Sequence, residues 1–340
     1  MISEPDQPFE DMDLLRFTIF QQYWWLKIAR GSARLKEVQV HDPNGALIGS
    51  LPYMVQRNAL GIPWGRGPHL SRVNGPIVGK NLSDEEKAIV FGRLVGKLPN
   101  ISFTFSISEH TPDANLISEA FKYAGFECFE QINYSQPPED VIDRLGKKLR
   151  EHIKQAHNKL DVVHIHPDDF INFYRDNLKA TNKKSYFPLE VARKMIEVCI
   201  NREPPEALIF AARKKIAEHS SDTHVLDAAI CIVWDKKRCY YWLSTRREES
   251  HPDAIKLLIA AAMKHASKLG LIFDADGVTT PGTERLYKTI FRMPNEEKRY
   301  IFTRTSRRSQ LYETHRYKID KLRRVAIALG LLGRVGPPSA

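Results

Sequence analysis

The first half of the chain alternates apolar patterns of helical and of strand period. Its predicted elements, in chain order, are a helix over 14–29, strands over 35–40 and 46–56, a helix over 82–98, a strand over 101–108, a helix over 115–126 and a strand over 128–135. Asn44-Gly45 predicts a tight turn between the first two strands. Residues 61–79 are rich in Gly and Pro, which predicts a long loop of the kind that often binds ligands.

The second half repeats this order of elements. Its predicted elements are helices over 143–160, 168–180 and 188–200, strands over 206–214, 227–235 and 238–246, a helix over 252–268, a strand over 271–276, a helix over 283–291 and a strand over 298–304. The shared order of helix, antiparallel hairpin, helix, strand, helix and strand predicts a structural duplication. The fold class that follows is α/β, with a mixed, mostly antiparallel sheet flanked by helices.

Polar stretches suggest the domain boundaries. We predict an N-terminal domain over 1–140, a C-terminal domain over 141–315 and a basic tail over 316–340 that contains a short amphipathic helix. The tail is interpreted as a docked terminal helix, with a peripheral contact to a membrane surface as the alternative.

Composition narrows the class of partner. The chain carries 51 Lys and Arg against 41 Asp and Glu, a formal charge of +10, which favours anionic partners such as phosphates, nucleotides or RNA. The four cysteines form no Cys-x-x-Cys pair, so we expect a reducing compartment, a cytoplasmic location and no metal site. The N-terminal segment lacks the apolar core of a signal peptide, and no apolar run is long enough for a transmembrane helix.

One candidate binding feature is the loop before the helix over 252–268. A strand ends in Arg246 and Arg247, and the predicted N-cap of the helix is Ser250 or His251. The unpaired N–H groups and positive dipole end of such a helix form a natural anion site, so a phosphate-bearing donor is one hypothesis. The alternative is a well-capped helix with solvated arginines, which Asp253 in the first turn favours.

A second candidate is the stretch FDADG followed by TERLYKTIF. Asp274 and Asp276 alternate on a strand and therefore face the same side, where they would orient an amine, act as a base, or cap the turn at the following glycine. Tyr287 and Phe291 are spaced as a buried helical pair. Lys288 projects from the neighbouring face, where it would stabilise an oxyanion or bind phosphate.

Common catalytic and nucleotide-binding motifs do not occur: the sequence contains no GxSxG, HExxH, GxxxxGK[ST] or GxGxxG. Several segments nevertheless resemble the FemABX-like branch of the GNAT acyltransferase superfamily. These segments are FQQYWWLKIA (20–29), LPYMVQ (51–56), KKLREHIKQAHNKL (147–160), HPDAIKLLIAAAMKHASKLGLIFDADG (251–277) and TERLYKTIF (283–291). The resemblance extends over about 14–305 and implies two GNAT-like domains packed together.

The resemblance also implies roles for particular residues. The C-terminal domain would bind an activated acyl donor, an acyl thioester or an aminoacyl-tRNA, and the acceptor would lie in a groove between the domains. The pair Tyr287-Lys288 matches the aromatic-Lys pair near the donor's 3′ end and the tetrahedral intermediate. The start of the helix matches the donor phosphate loop at these positions: Ser250, His251, Asp253 and Ala254.

Two departures from the family pattern bear on the substrates. The sequence REESHPDA replaces the R/QxxGxG/A phosphate loop of acetyl-CoA-dependent members, which argues against acetyl-CoA. The long coiled-coil arm of some cell-wall members does not occur, which argues against peptidoglycan crosslinking.

The predicted function is an N-acyltransferase that forms an amide from an acyl-CoA or carrier-protein thioester and an acceptor amine, with no tightly bound cofactor. Lys288 would stabilise the oxyanion, Asp274 or Asp276 would be the base or orient the amine, and Tyr287 would line the donor site. Arginines 246 and 247 would assist donor binding. The predicted acceptor groove has these residues: Arg66, Asn74, Lys184, Tyr186 and Phe187.

Two alternative functions stay open. Within the enzyme class, the +10 charge and the basic helix over 143–160 favour aminoacyl-tRNA-dependent transfer. In another class, the same fold would serve a non-catalytic RNA-binding or regulatory protein, although the basic helix is also typical of a solvated charged face.

Overall fold

The computed structural model describes residues 18–57, 61–139, 145–215, 225–275, 277, 280–307 and 309–310. Its α-helices are α1 (Tyr23–Ala29), α2 (Asp84–Gly96), α3 (Ala114–Tyr123), α4 (Lys147–Lys159), α5 (Pro167–Ala180), α6 (Leu189–Ile200), α7 (Ala254–Lys268) and α8 (Pro281–Glu284), and a π-helix (Arg285–Ile290) continues α8. Its strands are β1 (Arg34–His41), β2 (Leu47–Arg57), β3 (Pro63–Arg66), β4 (Ile77–Val78), β5 (Ser102–Ser108), β6 (Glu127–Gln136), β7 (Leu160–His164), β8 (Ala207–Lys214), β9 (Leu226–Trp234), β10 (Arg238–Arg246), β11 (Ile272–Asp274) and β12 (Asn295–Arg304).

Local sequence signals explain several element ends. Helix α2 begins with a capping box, in which the Ser83 hydroxyl accepts from the Glu86 N–H and the Glu86 carboxylate accepts from the Ser83 N–H at 2.8 Å. Between β1 and β2, the Asp42 carboxylate accepts from the backbone of Asn44 and Ala46, and Gly45 has φ +84°. The hairpin turn predicted at Asn44-Gly45 is confirmed.

All described strands belong to one mixed sheet, in the order β1-β2-β3-β5-β12-β6-β11-β10-β9-β8-β7, with β4 paired to β2. The two halves exchange their last strands. Strand β12, from the end of the second half, pairs antiparallel with both β5 and β6 of the first half. Strand β6 in turn pairs with β11 of the second half. The junction between the halves is therefore a continuous hydrogen-bonded ladder.

The two halves share a topology. In the first half the parallel strands β3 and β5 are connected through α2, and in the second half the parallel strands β10 and β11 are connected through α7. The predicted α/β fold of two similar halves with a mixed sheet is confirmed. The domain boundaries at 140 and 315 stay predictions. Strand β12 belongs to the second half in sequence but pairs with strands of the first half.

The layers differ between the halves. Helices α2 and α3 pack on one face of the first-half strands, where the rings of Phe121 and Phe302 stack at 4.6 Å. The opposite face exposes Thr104 and 53% of Phe129, and none of the first-half helices in the described ranges covers it. We call it the open face; it is formed by Gln56, Trp64, Arg66, Thr104, Phe129 and Ile301.

The second half has helices on both faces of its sheet. Helices α4 and α7 and the π-helix pack on one face, around Phe273 and Tyr287. Helices α1, α5 and α6 pack on the other face, around Trp25 and Trp242, whose rings lie 5.3 Å apart. Helix α1 thus belongs to the first half in sequence but packs on the second half, which leaves the open face uncovered.

Five predicted elements need correction or lie outside the described residues. The predicted loop over 61–79 contains the short strands β3 and β4, and strand β7 was not predicted because α4 was extended through residue 160. The helix over 283–291 divides into α8 and the π-helix. Residues 14–17 of the first predicted helix and the tail over 316–340 lie outside the described residues.

No helix within the described part of the chain has the length and apolar character needed to cross a membrane.

Candidate functional site

Strands β10 and β11 diverge in the middle of the second half. They pair in parallel over only three positions, from Arg238↔Ile272 to Tyr240↔Asp274. Strand β11 ends there, whereas β10 continues to Arg246 and bulges between Tyr241 and Leu243. Beyond Tyr240, no described strand pairs with β10 on this side. The divergence therefore leaves a strand edge at which an extended ligand can add its own hydrogen bonds, next to a bulge of the kind found near active sites.

The equivalent opening in the first half is filled. Strand β3 ends at Arg66 while β5 continues to Ser108, but the backbone of Asn74 donates to the Ser106 carbonyl at 2.8 Å. The Asn74 side-chain oxygen accepts from the Ser106 N–H at 2.9 Å, and the Ser106 hydroxyl donates to the Arg72 carbonyl at 2.6 Å. Of the two strand divergences, the second-half one is thus the open one.

The N-terminus of α7 follows β10 directly. The predicted cap at Ser250 or His251 is wrong, because α7 begins at Ala254 and its N-cap residue is Asp253. The reason is a buried carboxylate of β9: Asp227 accepts from the His251 N–H at 2.9 Å, so the chain turns into the helix only afterwards. The donor loop predicted over residues 250 to 254 thus lies directly before α7, with Ala254 as the first residue of the helix.

Asp253 places a negative charge at the positive end of α7. Its side chain is 6% exposed, and its carboxylate accepts from His152 Nδ1 at 3.0 Å and from Lys256 Nζ at 2.5 Å. Burial alone would raise the pKa of Asp253, but the hydrogen bonds from Lys256 and His152 outweigh it and lower the pKa. An ionised carboxylate in the first turn disfavours a second anion at the same helix end.

The basic helix α4 lies beside this loop, joined to it by the His152–Asp253 contact. Its buried side is apolar, with Leu149 and Ala156 in the core. The outer side carries exposed cations: Lys147, Lys148, Arg150, Lys154 and Lys159. Arg246 and Arg247 at the end of β10 are also exposed. Glu248 and Glu249 beside these arginines are exposed as well, so the surplus of positive charge in this region comes from α4.

Lys288 lies on the π-helix, at the face that α7 covers. Its ammonium lies 3.3 Å from Glu296 of β12, and the same carboxylate oxygen accepts from the Tyr134 hydroxyl of β6 at 3.2 Å. The hydrogen bond from Lys288 to Glu296 raises the pKa of Lys288, so this amine is a cation at neutral pH. A permanent ammonium suits an oxyanion stabiliser and does not suit a base. Tyr287 is 3% exposed and packs in the core.

Asp274 lies in a buried ionic network at the junction of the halves. Arg238 Nη1 donates to Asp274 at 3.2 Å and to Glu297 at 2.8 Å, and its Nη2 donates to the other Glu297 oxygen at 3.0 Å. Asn133 donates to Asp274 at 3.0 Å and accepts from the Gly277 N–H at 2.6 Å. A cavity of about 290 Å³ adjoins this network and is lined by His110, Asp235, Lys237, Arg238, Tyr240 and Ile272. Asp276 lies outside the described residues.

The structure places Lys288 and Asp274 on opposite faces of the sheet. Their partners Glu296 and Glu297 are successive residues of β12, and successive side chains of a strand point to opposite faces. The two predicted catalytic groups thus lie on opposite faces of the sheet, Lys288 beside β6 and β12 and Asp274 at the end of β11.

Four further residues at the site were not predicted from the sequence: Tyr134, Glu296, Arg238 and Glu297. Tyr134 and Glu296 meet only because the halves exchange strands, and they are 162 positions apart. Among these four, Arg238 and Glu297 carried a usable signal, since charged residues inside strand patterns are unusual unless they are paired.

The predicted acceptor residues fall into two groups. Arg66 lies on the open face, and Asn74 fills the first-half opening. The connection between α5 and α6 contains Lys184, Tyr186 and Phe187. Tyr186 is 96% exposed, and the ring centres of Phe187 and Tyr174 lie 5.8 Å apart. Whether either group contacts an acceptor stays a prediction.

No family model matches the chain, and no curated protein matches its sequence. Solved structures do match its fold. FemX superposes with a TM-score of 0.56 at 11% identity and covers 85% of this chain and 92% of its own. L-PGS from Bacillus licheniformis gives a TM-score of 0.51 at 13% identity, covering 83% of this chain and 87% of its own. A tandem GNAT protein from the clavulanic acid biosynthesis pathway gives 0.51 at 10% identity, covering 81% and 83%.

These matches extend over most of both chains, and they confirm the resemblance of the sequence to FemABX-like proteins at the level of the fold. The chain has a tandem GNAT-like fold of the FemX type.

Proposed function

We propose that the protein transfers an acyl or aminoacyl group from an activated thioester or ester to an acceptor amine and so forms an amide. The observation that carries this proposal is the divergence of β10 and β11, which is open in the second half and filled in the first. The fold shared with FemX and with a tandem GNAT protein supports the same class of reaction.

In the proposed mechanism the donor lies extended along the free side of β10, with its carbonyl near the bulge at Tyr241. The acceptor nitrogen attacks the carbonyl carbon, and the tetrahedral oxyanion is stabilised by the ammonium of Lys288. The C–S or C–O bond then breaks, the amide forms, and the leaving thiol or hydroxyl takes up the proton that the amine releases. Holding both reactants in line supplies most of the rate.

The carboxylates would have different tasks. Asp274 already accepts hydrogen bonds from Arg238 and Asn133, so its oxygens are committed to the buried network. We therefore assign Asp274 to positioning the turn through Asn133 and Gly277. Asp276, predicted from the sequence, is the proposed base that takes the proton from the amine and passes it to the leaving thiol or hydroxyl.

A second candidate function is transfer from an aminoacyl-tRNA. It is favoured by the exposed cations of α4 next to the donor loop and by Asp253, which disfavours the pyrophosphate of an acyl-CoA at the start of α7. A tRNA would contact α4 through its phosphates, and its charged 3′ end would reach the divergence.

The test is amide formation by the full chain with each donor class: acyl-CoAs, carrier-protein thioesters and charged tRNAs. Turnover that RNase abolishes, together with a steep fall of binding at higher salt, identifies the tRNA donor. Turnover insensitive to RNase identifies a thioester donor. Binding of RNA without amide formation from any donor contradicts the proposal and supports the non-catalytic alternative.

A further inference from the structure

The open face carries an arginine, Arg66, that has no carboxylate near it among the described residues. Arg66 ends β3, pairs in register with Thr104 of β5, and lies on the same face as Trp64 two positions before it. Its guanidinium lies 5.2 Å from the centre of the Trp64 ring. The side chain is partly buried, and its Nε–H is buried without a hydrogen-bond partner.

The partner of the Arg66 guanidinium is a neutral ring. Arg66 Nη2 contacts the His69 imidazole, which is 8% exposed and also lies 3.0 Å from Gln56 Nε2. Burial and the charge of Arg66 lower the pKa of His69 to about 4. His69 therefore holds the guanidinium in place at neutral pH but does not neutralise it.

Two other arginines serve for comparison, and one of them, Arg304, likewise has a buried Nε–H without a hydrogen-bond partner. Arg238 has two carboxylates, and the Arg304 guanidinium donates to the Pro99 carbonyl at 2.7 Å. Among the described residues, no carboxylate lies within salt-bridge distance of Arg66. A partly buried cation without an anion is costly, because it loses hydration and gains no ion pair. A bound anion would remove that cost.

We propose that Arg66 binds an anionic group of the acceptor, a carboxylate or a phosphate, on the open face. The planar guanidinium offers paired N–H groups that match either oxyanion, and His69, Gln56 and Trp64 hold it in one orientation. This inference rests on the proposed transfer function only in that it takes the bound anionic group to be part of the acceptor.

The open face leads to the second-half divergence through Arg72. Ser106 of β5, two residues after Thr104, donates to the Arg72 carbonyl, and the Arg72 guanidinium donates to the Trp242 carbonyl of β10 at 2.5 Å. Arg72 therefore links β5, the strand beside Arg66, to the bulge of β10.

The experiment is an NMR titration of the full chain with inorganic phosphate and, separately, with acetate, following the His69 ring and the Trp64 indole. We expect saturable shifts of both rings in the millimolar range. The anion with the lower half-saturation identifies the class of group that Arg66 binds. The variant Arg66→Gln should weaken binding about tenfold or more, since it removes charge-assisted hydrogen bonds. The matched control Arg304→Gln, another partly buried arginine stacked on aromatic rings, should bind as the wild type does.

Two results would overturn the inference: neither anion shifts the His69 ring of the wild type at tens of millimolar, or Arg66→Gln binds with unchanged half-saturation. The wild-type titration decides the matter alone if the variant does not fold. Because the titration needs no turnover, its failure would remove the Arg66 site and leave the transfer function standing. Anion binding at Arg66 in a chain that forms no amide would do the reverse.

Discussion

The ionic network around Arg238 should be a main source of cohesion between the two halves. The side chains of Arg238, Glu297 and Asp274 are 11%, 5% and 7% exposed, and they come from β10, β12 and β11. The substitution Arg238→Met keeps much of the apolar stem but removes the guanidinium that the two buried carboxylates share. The consequence should be a large loss of folding free energy.

The magnitude follows from the contacts. Arg238 donates three hydrogen bonds to carboxylates, and at about 1.5–3 kcal/mol each their gross contribution is about 4.5–9 kcal/mol. Desolvation of the buried charges offsets part of this, and loss of one partner of a buried pair costs about 3–5 kcal/mol. We therefore expect Arg238→Met to lower the free energy of unfolding by about 3–5 kcal/mol.

Urea denaturation at neutral pH, followed by circular dichroism, measures this loss. The control is Lys215→Met, which removes an exposed pair with Asp161 at 3.7 Å and should cost less than about 1 kcal/mol. The double variant Arg238→Met/Glu297→Met should recover part of the loss, because it removes one of the stranded carboxylates. If Arg238→Met lowers the free energy of unfolding as little as the control does, Arg238 is not a main source of cohesion between the halves.

Three further outcomes are expected. Burial would raise the pKa of Glu297, but hydrogen bonds from Arg238 and Ser135 outweigh it and lower the pKa below 4.5. The ionised Glu297 carboxylate therefore contributes to the folding free energy above pH 4.5. This contribution is lost as the pH falls through the pKa of the folded state. The unfolding free energy of Glu297→Gln should thus fall less steeply than that of the wild type in acid titrations below pH 4.5, and equal slopes would contradict this. A Cβ at Gly65 would overlap the Phe103 ring, so Gly65→Ala should lower the free energy of unfolding by about 1–3 kcal/mol. Gly92 in α2 has open space around it, so Gly92→Ala should not destabilise the protein. Urea denaturation measures both variants, and equal effects would be inconsistent with the packing at Gly65. Asp253→Asn should raise the affinity for CoA in calorimetry because it removes the charge at the start of α7, and an unchanged affinity would show that Asp253 excludes nothing.

Periodicity predicted most of the fold because each half buries its apolar faces locally. The strands over 101–108 and 128–135 and the helix over 82–98 lie within a few residues of β5, β6 and α2. Strand β7 was missed because the preceding basic helix continues into it without a Gly or Pro. The order of strands in the sheet has no local signal, since insertion of β12 between β5 and β6 depends on contacts between distant segments.

The site was less predictable for the same reason. Lys288 was singled out from its resemblance to a family motif, but its partners Glu296 and Tyr134 lie on two strands brought together by the exchange. The helix cap was misplaced because Asp227, on another strand, takes the His251 N–H. Arg66 was predicted as one of several acceptor residues, within a Gly/Pro-rich loop. That no carboxylate of the described residues lies near it is visible only in three dimensions.

Lys288 is proposed to stabilise the oxyanion of an acyl transfer at the second-half divergence. The most direct measurement is the single-turnover rate of amide formation by Lys288→Ala with the donor identified in the screen, compared with Lys298→Ala. Lys298 is a matched control, because it is similarly exposed on β12 and pairs with Glu130 at 2.9 Å. We expect a fall of about 100-fold or more for Lys288→Ala, with donor affinity and the rate of Lys298→Ala unchanged. A wild-type rate for Lys288→Ala would contradict it.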